Sequence, residues 1–406
     1  MEVYHEFGRF KCENPGQNWT GPGLPYQVYL SYELPELPNV ITQIFIIFSF
    51  LCLILVAVIG NSVVLWIIYR HKVMHHGFNF FLFNMAFADL LNALFNVGAS
   101  WPYNLYYDWW FGNTFAITTF FGIAPTTVSV CSMMCLSYDR CLAVVRPLRK
   151  RPLSRRRSLI AIAVIWLIST ATALPFAWDA HVEKVYLYNC ETASLRMLHA
   201  ARSNGGALMT NLLFIIQYAI PLLVLSSTFT KIALTLRESN ETPDNKCSKT
   251  TCHNRAKSKA IKMLTLMVLA FMICWAPYHI YHTFTWGDTS RYLYLFIYWV
   301  AMSSCAFNPI IYCFSNERFR IGFRFVFRWI PSVECKRENY EYSQLFPDKM
   351  RSMAISLQKG KTSMACLQER KLTTHSCQDV YSTPDIVQCV LQVEKPRKYS
   401  NLLSSS

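Results

Sequence analysis

Residues 41–69 read ITQIFIIFSFLCLILVAVIGNSVVLWIIY, with no charged side chain among them. A bilayer core of about 30 Å needs about 20 apolar residues as a helix. Lipid offers no hydrogen-bond partners, so such a stretch must satisfy its own backbone as a helix. Six further stretches read the same way: Phe78–Tyr103, with Asp89 as its only charge, Trp109–Tyr138, Ser158–Trp178, Ser203–Thr230, Met263–Gly287 and Tyr292–Asn316. The expected fold is an all-α membrane protein, a seven-transmembrane helix bundle over 41–314. An odd number of spans puts the chain ends on opposite faces of the membrane.

Composition agrees. Hydrophobic residues are 53% and charged residues 16%, below the usual quarter for soluble domains. The net charge of +15 raises nucleic acid as a partner, but its placement excludes it. Arg146, Arg149, Lys150, Arg151 and Arg155–Arg157 lie between the third and fourth spans. Arg70 and Lys72 follow the first, Lys257, Lys259 and Lys262 precede the sixth, and Arg318, Arg320, Arg324 and Arg328 follow the seventh. All fall on one side, which the positive-inside rule makes cytoplasmic. The segment 1–40 is then extracellular. It shows no basic n-region before an apolar h-region, so no cleaved signal peptide is expected.

Of 15 cysteines only Cys12 and Cys190 fall outside, where thiols oxidise. They either bridge or remain two free thiols, and the bridge is the expectation. Asn18-Trp19-Thr20 is an outer glycosylation sequon. Asn240-Glu241-Thr242 lies inside and should stay bare. The segment 1–40 shows neither strand nor helix periodicity. The inner stretch Asn240–Cys252 is polar and reads as flexible. Over 315–330, Phe319, Phe323 and Phe327 recur near helical spacing among arginines. That predicts a short amphipathic interfacial helix on membrane lipid. Cys335 beside Lys336 and Arg337 suits S-palmitoylation. The tail 331–406 reads as disordered, and its Ser and Thr residues suit phosphorylation.

The polar residues inside the spans point further. Asp89 sits mid-span, where an ionised carboxylate is costly without a partner. Ser129, Ser304 and Asn308 lie at depths that could face it. The group is either a structural hydrogen-bond cluster or a cation site, sodium by its oxygen donors. Asp139-Arg140-Cys141 ends the third span. Pro277 in Cys274-Trp275-Ala276-Pro277 and Pro309 in Asn308-Pro309-Ile310-Ile311-Tyr312 each remove a backbone donor and bend their helices.

These motifs, with Gly60-Asn61, Met85-Ala86-Phe87-Ala88-Asp89, Trp166 and Pro221, resemble the rhodopsin-like G-protein-coupled receptors across 41–329. Trp299-Val300-Ala301-Met302-Ser303-Ser304, Asn316-Glu317-Arg318-Phe319-Arg320-Ile321-Gly322-Phe323 and Ala276-Pro277-Tyr278-His279-Ile280 are most similar to the tachykinin (neurokinin) receptors. RYamide-like, luqin-like and neuropeptide Y-like receptors share parts of that signature. The resemblance implies a cell-surface receptor for a tachykinin-like amidated neuropeptide, acting on a heterotrimeric G protein of the Gq class, with arrestin as a later partner. A receptor for another amidated peptide is the alternative. No resident cofactor is expected beyond a sodium ion at Asp89.

It also implies roles. Asn96, His279 and Tyr294 would face the peptide, joined by Gln217, Tyr278 and His282. Amides, imidazoles and phenols offer both donors and acceptors to an amidated C-terminus. Phe271 and Trp275 would repack when the ligand seats. Arg140 would leave Asp139 and, with Leu148, face the G protein, and Tyr312 would swing inward. Some positions depart from the family. Phe115 stands where the family carries a cysteine bridged to the second outer loop. Thr118, Phe176 and Thr210 replace pocket residues, and Phe229 and Cys141 replace aromatic residues.

Other classes fail on chemistry. A retinal protein needs a lysine in the seventh span for its Schiff base, and Tyr292–Asn316 has none. Transporters show repeated halves with broken helices, and no internal repeat is present. A hydrolase needs a paired nucleophile and base, which no motif here supplies, so no enzyme is expected.

Overall fold

The computed structural model describes residues 2–5, 8–11, 18–19, 27–31, 38–146, 154–189, 194–202, 206–241, 248–284, 290–331, 333, 335, 337–341, 343 and 345–346. Seven helices in it are long and apolar enough to cross a membrane. They are α1 (Val40–Arg70), α2 (Gly77–Tyr106), α3 (Phe115–Val145), α4 (Arg155–Asp179), α5 (through Gly206–Phe214, Ile215–Ala219 and Ile220–Glu241), α6 (Ser248–Phe284) and α7 (Arg291–Ser315). Each starts and stops for local reasons. The Asn39 side chain accepts from the Thr42 N–H at 2.8 Å and caps α1, as an N-cap asparagine does. Tyr107, at φ 56, ends α2 in the left-handed conformation.

Helix α3 is central and packs on α2, α4, α5 and α6, while α1 lies against α2 and α7. Ile41, Phe45, Trp178, Leu223, Ile273 and Phe314 point outward and exposed. In a soluble protein such an apolar surface would be a liability; here it is the face that lipid covers. The interior is apolar, with Phe50, Phe81, Met85, Val128, Met267 and Tyr312 buried. Close approach is enforced at Gly60, where a Cβ would lie 2.7 Å from Pro309 Cγ. Several buried polar side chains bridge helices, as buried polar groups usually do. Trp166 Nε1 donates to Asn84 Oδ1 at 2.8 Å, and Asn84 Nδ2 donates to Ser132 Oγ at 3.0 Å.

Three expectations need correction. The segment 1–40 does carry strands: β1 (Glu2–His5), β2 (Gly8–Lys11), β3 (Asn18–Trp19) and β4 (Gln27–Ser31). Strand β4 runs parallel to β5 (His181–Asn189), which pairs antiparallel with β6 (Ser194–Arg202). The order is β3-β4-β5-β6. These strands form because a partner edge exists, which tertiary pairing decides over local pattern. Helix also enters the inner stretch Asn240–Cys252, expected to be flexible, since α5 runs to Glu241 and α6 starts at Ser248.

The third correction lies after α7. Helix α8 (Glu317–Val326) is the expected amphipathic one, capped by the Asn316 side chain, which accepts from the Arg318 N–H at 3.1 Å. Its apolar face does not all point away from the bundle. Phe319 is buried against Tyr312, with ring centroids 5.3 Å apart, and a Cβ on Gly322 would meet Ile67 Cδ1 at 2.5 Å. The ordered chain then continues past 331 into α9 (Arg337–Glu341). Tyr340 stacks on Phe325 at 3.6 Å, and its hydroxyl lies 2.7 Å from His71 Nε2. Tyr340, Leu345 and Phe346 supply apolar surface that the polarity of the tail as a whole conceals. Burial pushes the Tyr340 phenol up to about 12 and holds His71 below its ordinary value, as expected for charged forms denied water.

Candidate ligand pocket and switch

At the end of the bundle nearest the sheet, α6 and α7 bring aromatic side chains into one cluster. Successive turns of α6 place Trp275, Tyr278, His279 and His282 on neighbouring faces. Tyr278 and His282 rings lie 4.4 Å apart, and His282 meets Tyr294 of α7 edge-on at 5.8 Å. His279 sits 5.7 Å from Trp275 and 5.3 Å from Tyr218. His279 is buried, while His282 is exposed. The Nε2 atom of His279 is buried with no hydrogen-bond partner among the described residues. An unsatisfied buried polar atom of this kind costs free energy unless something arrives to meet it.

Asn96 and Gln217 stand apart from that cluster, one on each side of α3. Asn96 Nδ2 donates to Asn92 Oδ1 at 2.8 Å, its Oδ1 accepts from Ser100 Oγ at 3.1 Å, and its side chain touches Gly122 of α3. Gln217 Nε2 donates to the Ile123 carbonyl at 3.1 Å and to Thr127 Oγ1 at 2.9 Å. Thus four of the six expected ligand-facing residues meet, and two amides are engaged within the bundle wall. The sequence reading missed Tyr281, 5.3 Å from Tyr294, and Tyr298, 6.4 Å from Tyr294. Tyr298 follows Tyr294 by one helical turn, a spacing that signals a shared face.

Below the cluster a chain of contacts leads to Asp89. Phe271 stacks on Trp275 at 5.7 Å. Trp275 Nε1 donates to Ser304 Oγ of α7 at 3.0 Å. One turn on, Asn308 Nδ2 donates to Asp89 Oδ2 at 2.7 Å, and Ser129 Oγ donates to Asp89 Oδ1 at 3.1 Å. Asn61 Nδ2 ties α1 to the Cys305 carbonyl at 2.9 Å. Asp89 therefore joins α2, α3 and α7 in one buried network, while Pro277 and Pro309 lie inside their helices. At the far end Arg140 pairs with Asp139 and stacks over the Phe78 ring at 4.3 Å. Leu148, Cys12, Cys190 and the tail residues Thr373, Thr374, Ser376, Ser382, Thr383, Ser404, Ser405 and Ser406 lie outside the described residues, as does the Asn18 side chain. Cys335 is half-buried beside the core.

The profile of the 7 transmembrane receptor (rhodopsin family) matches residues 60–312. The chain belongs to that family. It is a multi-pass membrane receptor and not an enzyme. It is 60% identical to a "Probable G-protein coupled receptor tkr-1" of Caenorhabditis elegans, over 99% of this chain and 98% of that one. It is 36% identical to a Substance-P receptor of Aquarana catesbeiana, over 70% of each chain. It is also 36% identical to a Neuromedin-K receptor of Oryctolagus cuniculus, over 69% of this chain and 60% of that one. Within the rhodopsin family the chain is thus close to receptors of the tachykinin type.

Proposed function

We propose that the chain is a cell-surface receptor for a tachykinin-like amidated neuropeptide, with its N-terminus extracellular and its C-terminus cytoplasmic. The observation that carries this reading is the buried, unpartnered His279 Nε2 among the rings of Phe214, Tyr218, Trp275 and Tyr278, next to the Tyr278–His282–Tyr294 group. Aromatic walls suit the apolar side chains of a peptide, and an imidazole nitrogen suits the two N–H donors or the carbonyl of a C-terminal amide. The basic residues at the Arg140 end support the orientation through the positive-inside rule.

Signal would pass from the pocket as far as Asp89 through residues already in contact, and on to the Arg140 end by movement of the helices that Asp89 joins. Ligand against Trp275 changes its packing on Phe271 and its bond to Ser304. Ser304 and Asn308 share one face of α7, so the Asp89 network feels that change. The far end then releases Arg140 from Asp139 to face a heterotrimeric G protein of the Gq class, with Leu148 beside it. Phosphorylated Ser and Thr of the tail would recruit arrestin. Palmitate on Cys335 and the amphipathic α8 would hold the chain to lipid, Asn18 would carry glycan, and Cys12 and Cys190 would bridge.

Asp89 also suits sodium. The site offers one carboxylate, and no group of three His, Cys, Asp or Glu side chains that could hold a metal occurs among the described residues, so a monovalent hard cation fits its charge. Asp89 and Ser129 would supply oxygens first. Ser304 would join after its hydroxyl turns from the Trp275 N–H, and Asn308 after its amide oxygen replaces the Nδ2 that now donates to Asp89. Sodium there would favour the resting arrangement.

Cells expressing the full chain, exposed to a panel of amidated tachykinin-, RYamide-, luqin- and neuropeptide Y-like peptides, test the reading by calcium release. A response confined to tachykinin-like peptides is expected. A response to another class alone would move the assignment to that class.

A further inference from the structure

Strand β6 is at the edge of its sheet, paired with β5 on one side. An edge strand presents unpaired N–H and C=O groups. On β6 these groups are not left to solvent at His199 and Ala201, alternate residues that face the same way. Asp108 Oδ1 accepts from the His199 N–H at 2.8 Å and contacts His199 Nδ1 at 3.2 Å. The Trp109 N–H donates to the His199 carbonyl at 2.9 Å. The Tyr103 hydroxyl donates to the Ala201 carbonyl at 3.1 Å and lies 3.2 Å from the Ala201 N–H. One face of the end of α2 and the turn after it therefore meets four consecutive outward backbone groups of the strand.

The left-handed Tyr107 reverses the chain after α2, which brings Asp108 and Trp109 to the strand. Trp109 is 2% exposed. Its ring is enclosed by Tyr103 at 6.0 Å, Phe111 at 5.4 Å and Phe115 at 5.2 Å. Phe115 opens α3, so the same ring anchors the clamp to the central helix. On the other side of the hairpin, β4 of the N-terminal segment adds in parallel, with Tyr29 opposite Leu187.

We infer that Asp108, Tyr103 and Trp109 form a non-covalent clamp that holds the β5–β6 hairpin, and the N-terminal strand added to it, as the lid of the peptide site. The lid role rests on the peptide-receptor reading above; the clamp itself does not. These three are positioning residues, since they act through the strand they hold. Phe115 contributes packing where the family resemblance places a sulfur link to this loop, so the clamp is indifferent to thiol redox state.

Hydrogen exchange over residues 194–202 in the purified full chain tests the clamp without any ligand. The wild-type His199 and Ala201 amides should stay protected in the presence of a thiol reductant. Asp108→Ala should speed exchange at His199 by about tenfold, the loss of one half-buried hydrogen bond. Asp108→Asn keeps an acceptor and should retain most of the protection. In cells, with surface receptor matched by antibody, Asp108→Ala should weaken peptide potency by a similar factor and leave the maximal response intact, while Asp108→Asn stays near wild type. Reductant alone releasing the wild-type hairpin, or unchanged exchange in Asp108→Ala, would overturn the clamp. Faster exchange with unchanged potency would overturn the lid role. A chain that answers no amidated peptide would overturn the receptor reading and the lid with it, while the exchange data still decide the clamp.

Discussion

Ser304→Ala isolates the link between pocket and switch. Trp275 Nε1 is held by Ser304 Oγ at 3.0 Å, and the two residues are 3% and 8% exposed. Removing the hydroxyl leaves a buried N–H without its acceptor, at a cost of about 1–3 kcal/mol. That cost falls on whichever arrangement contains the bond. The arrangement described here is the resting one on the proposed mechanism, with Arg140 paired to Asp139 and Tyr312 stacked on Phe319. Its destabilisation should shift the resting-to-active equilibrium by about 5–150-fold. Ligand-free binding of a GTP analogue to membranes, normalised to surface receptor, should therefore rise. Ser304→Thr keeps a hydroxyl and should stay near wild type. Basal exchange that is unchanged or lowered in Ser304→Ala would show that the bond survives activation, and the Trp275-to-α7 route would be wrong.

Three further perturbations follow from particular contacts. Gly60→Ala forces a Cβ to within 2.7 Å of Pro309 Cγ, and overpacking of this kind costs about 1–3 kcal/mol; the melting temperature of purified receptor should fall, and an unchanged value would refute the contact. Asp89→Asn should abolish the lowering of agonist affinity by sodium in radioligand competition; persistence of the sodium effect would place the ion elsewhere. Docking of the α9 segment should depend on pH. The docked His71 has a depressed pKa, so the undocked form binds more protons and docking is complete above about pH 6.5 and weakens as the medium becomes more acidic. Protease cleavage near Tyr340 should then rise between about pH 7.5 and 5.5 in the wild type and lose that dependence in His71→Gln; a pH-independent wild type would contradict it.

The spans were legible because lipid imposes long uncharged helices, a signal strong enough to survive single-sequence reading. The switch residues were legible because Asp89, Arg140, Pro277 and Pro309 break that pattern where a break is costly. Local pattern could not show the pairing of β4 with β5, because a strand partner more than a hundred residues away leaves no mark on neighbouring positions. The α9 contact was hidden for a related reason. Tyr340 and Phe346 sit in a polar stretch, and only the surface of His71 and Phe325 makes them core. The separation of Asn96 and Gln217 from the aromatic cluster likewise depends on which way each helix turns toward α3.

The central claim is that the cluster around His279 reads an amidated peptide end. Its most direct test is the potency of one active amidated peptide against its free-acid form, on the full chain and on His279→Ala at matched surface expression. A strong preference for the amide is expected in the wild type, since a carboxylate would enter a pocket whose imidazole and phenols are buried among aromatic rings. The preference should shrink in His279→Ala. Equal potency of amide and acid on the wild type, or an undiminished preference without His279, would contradict that claim.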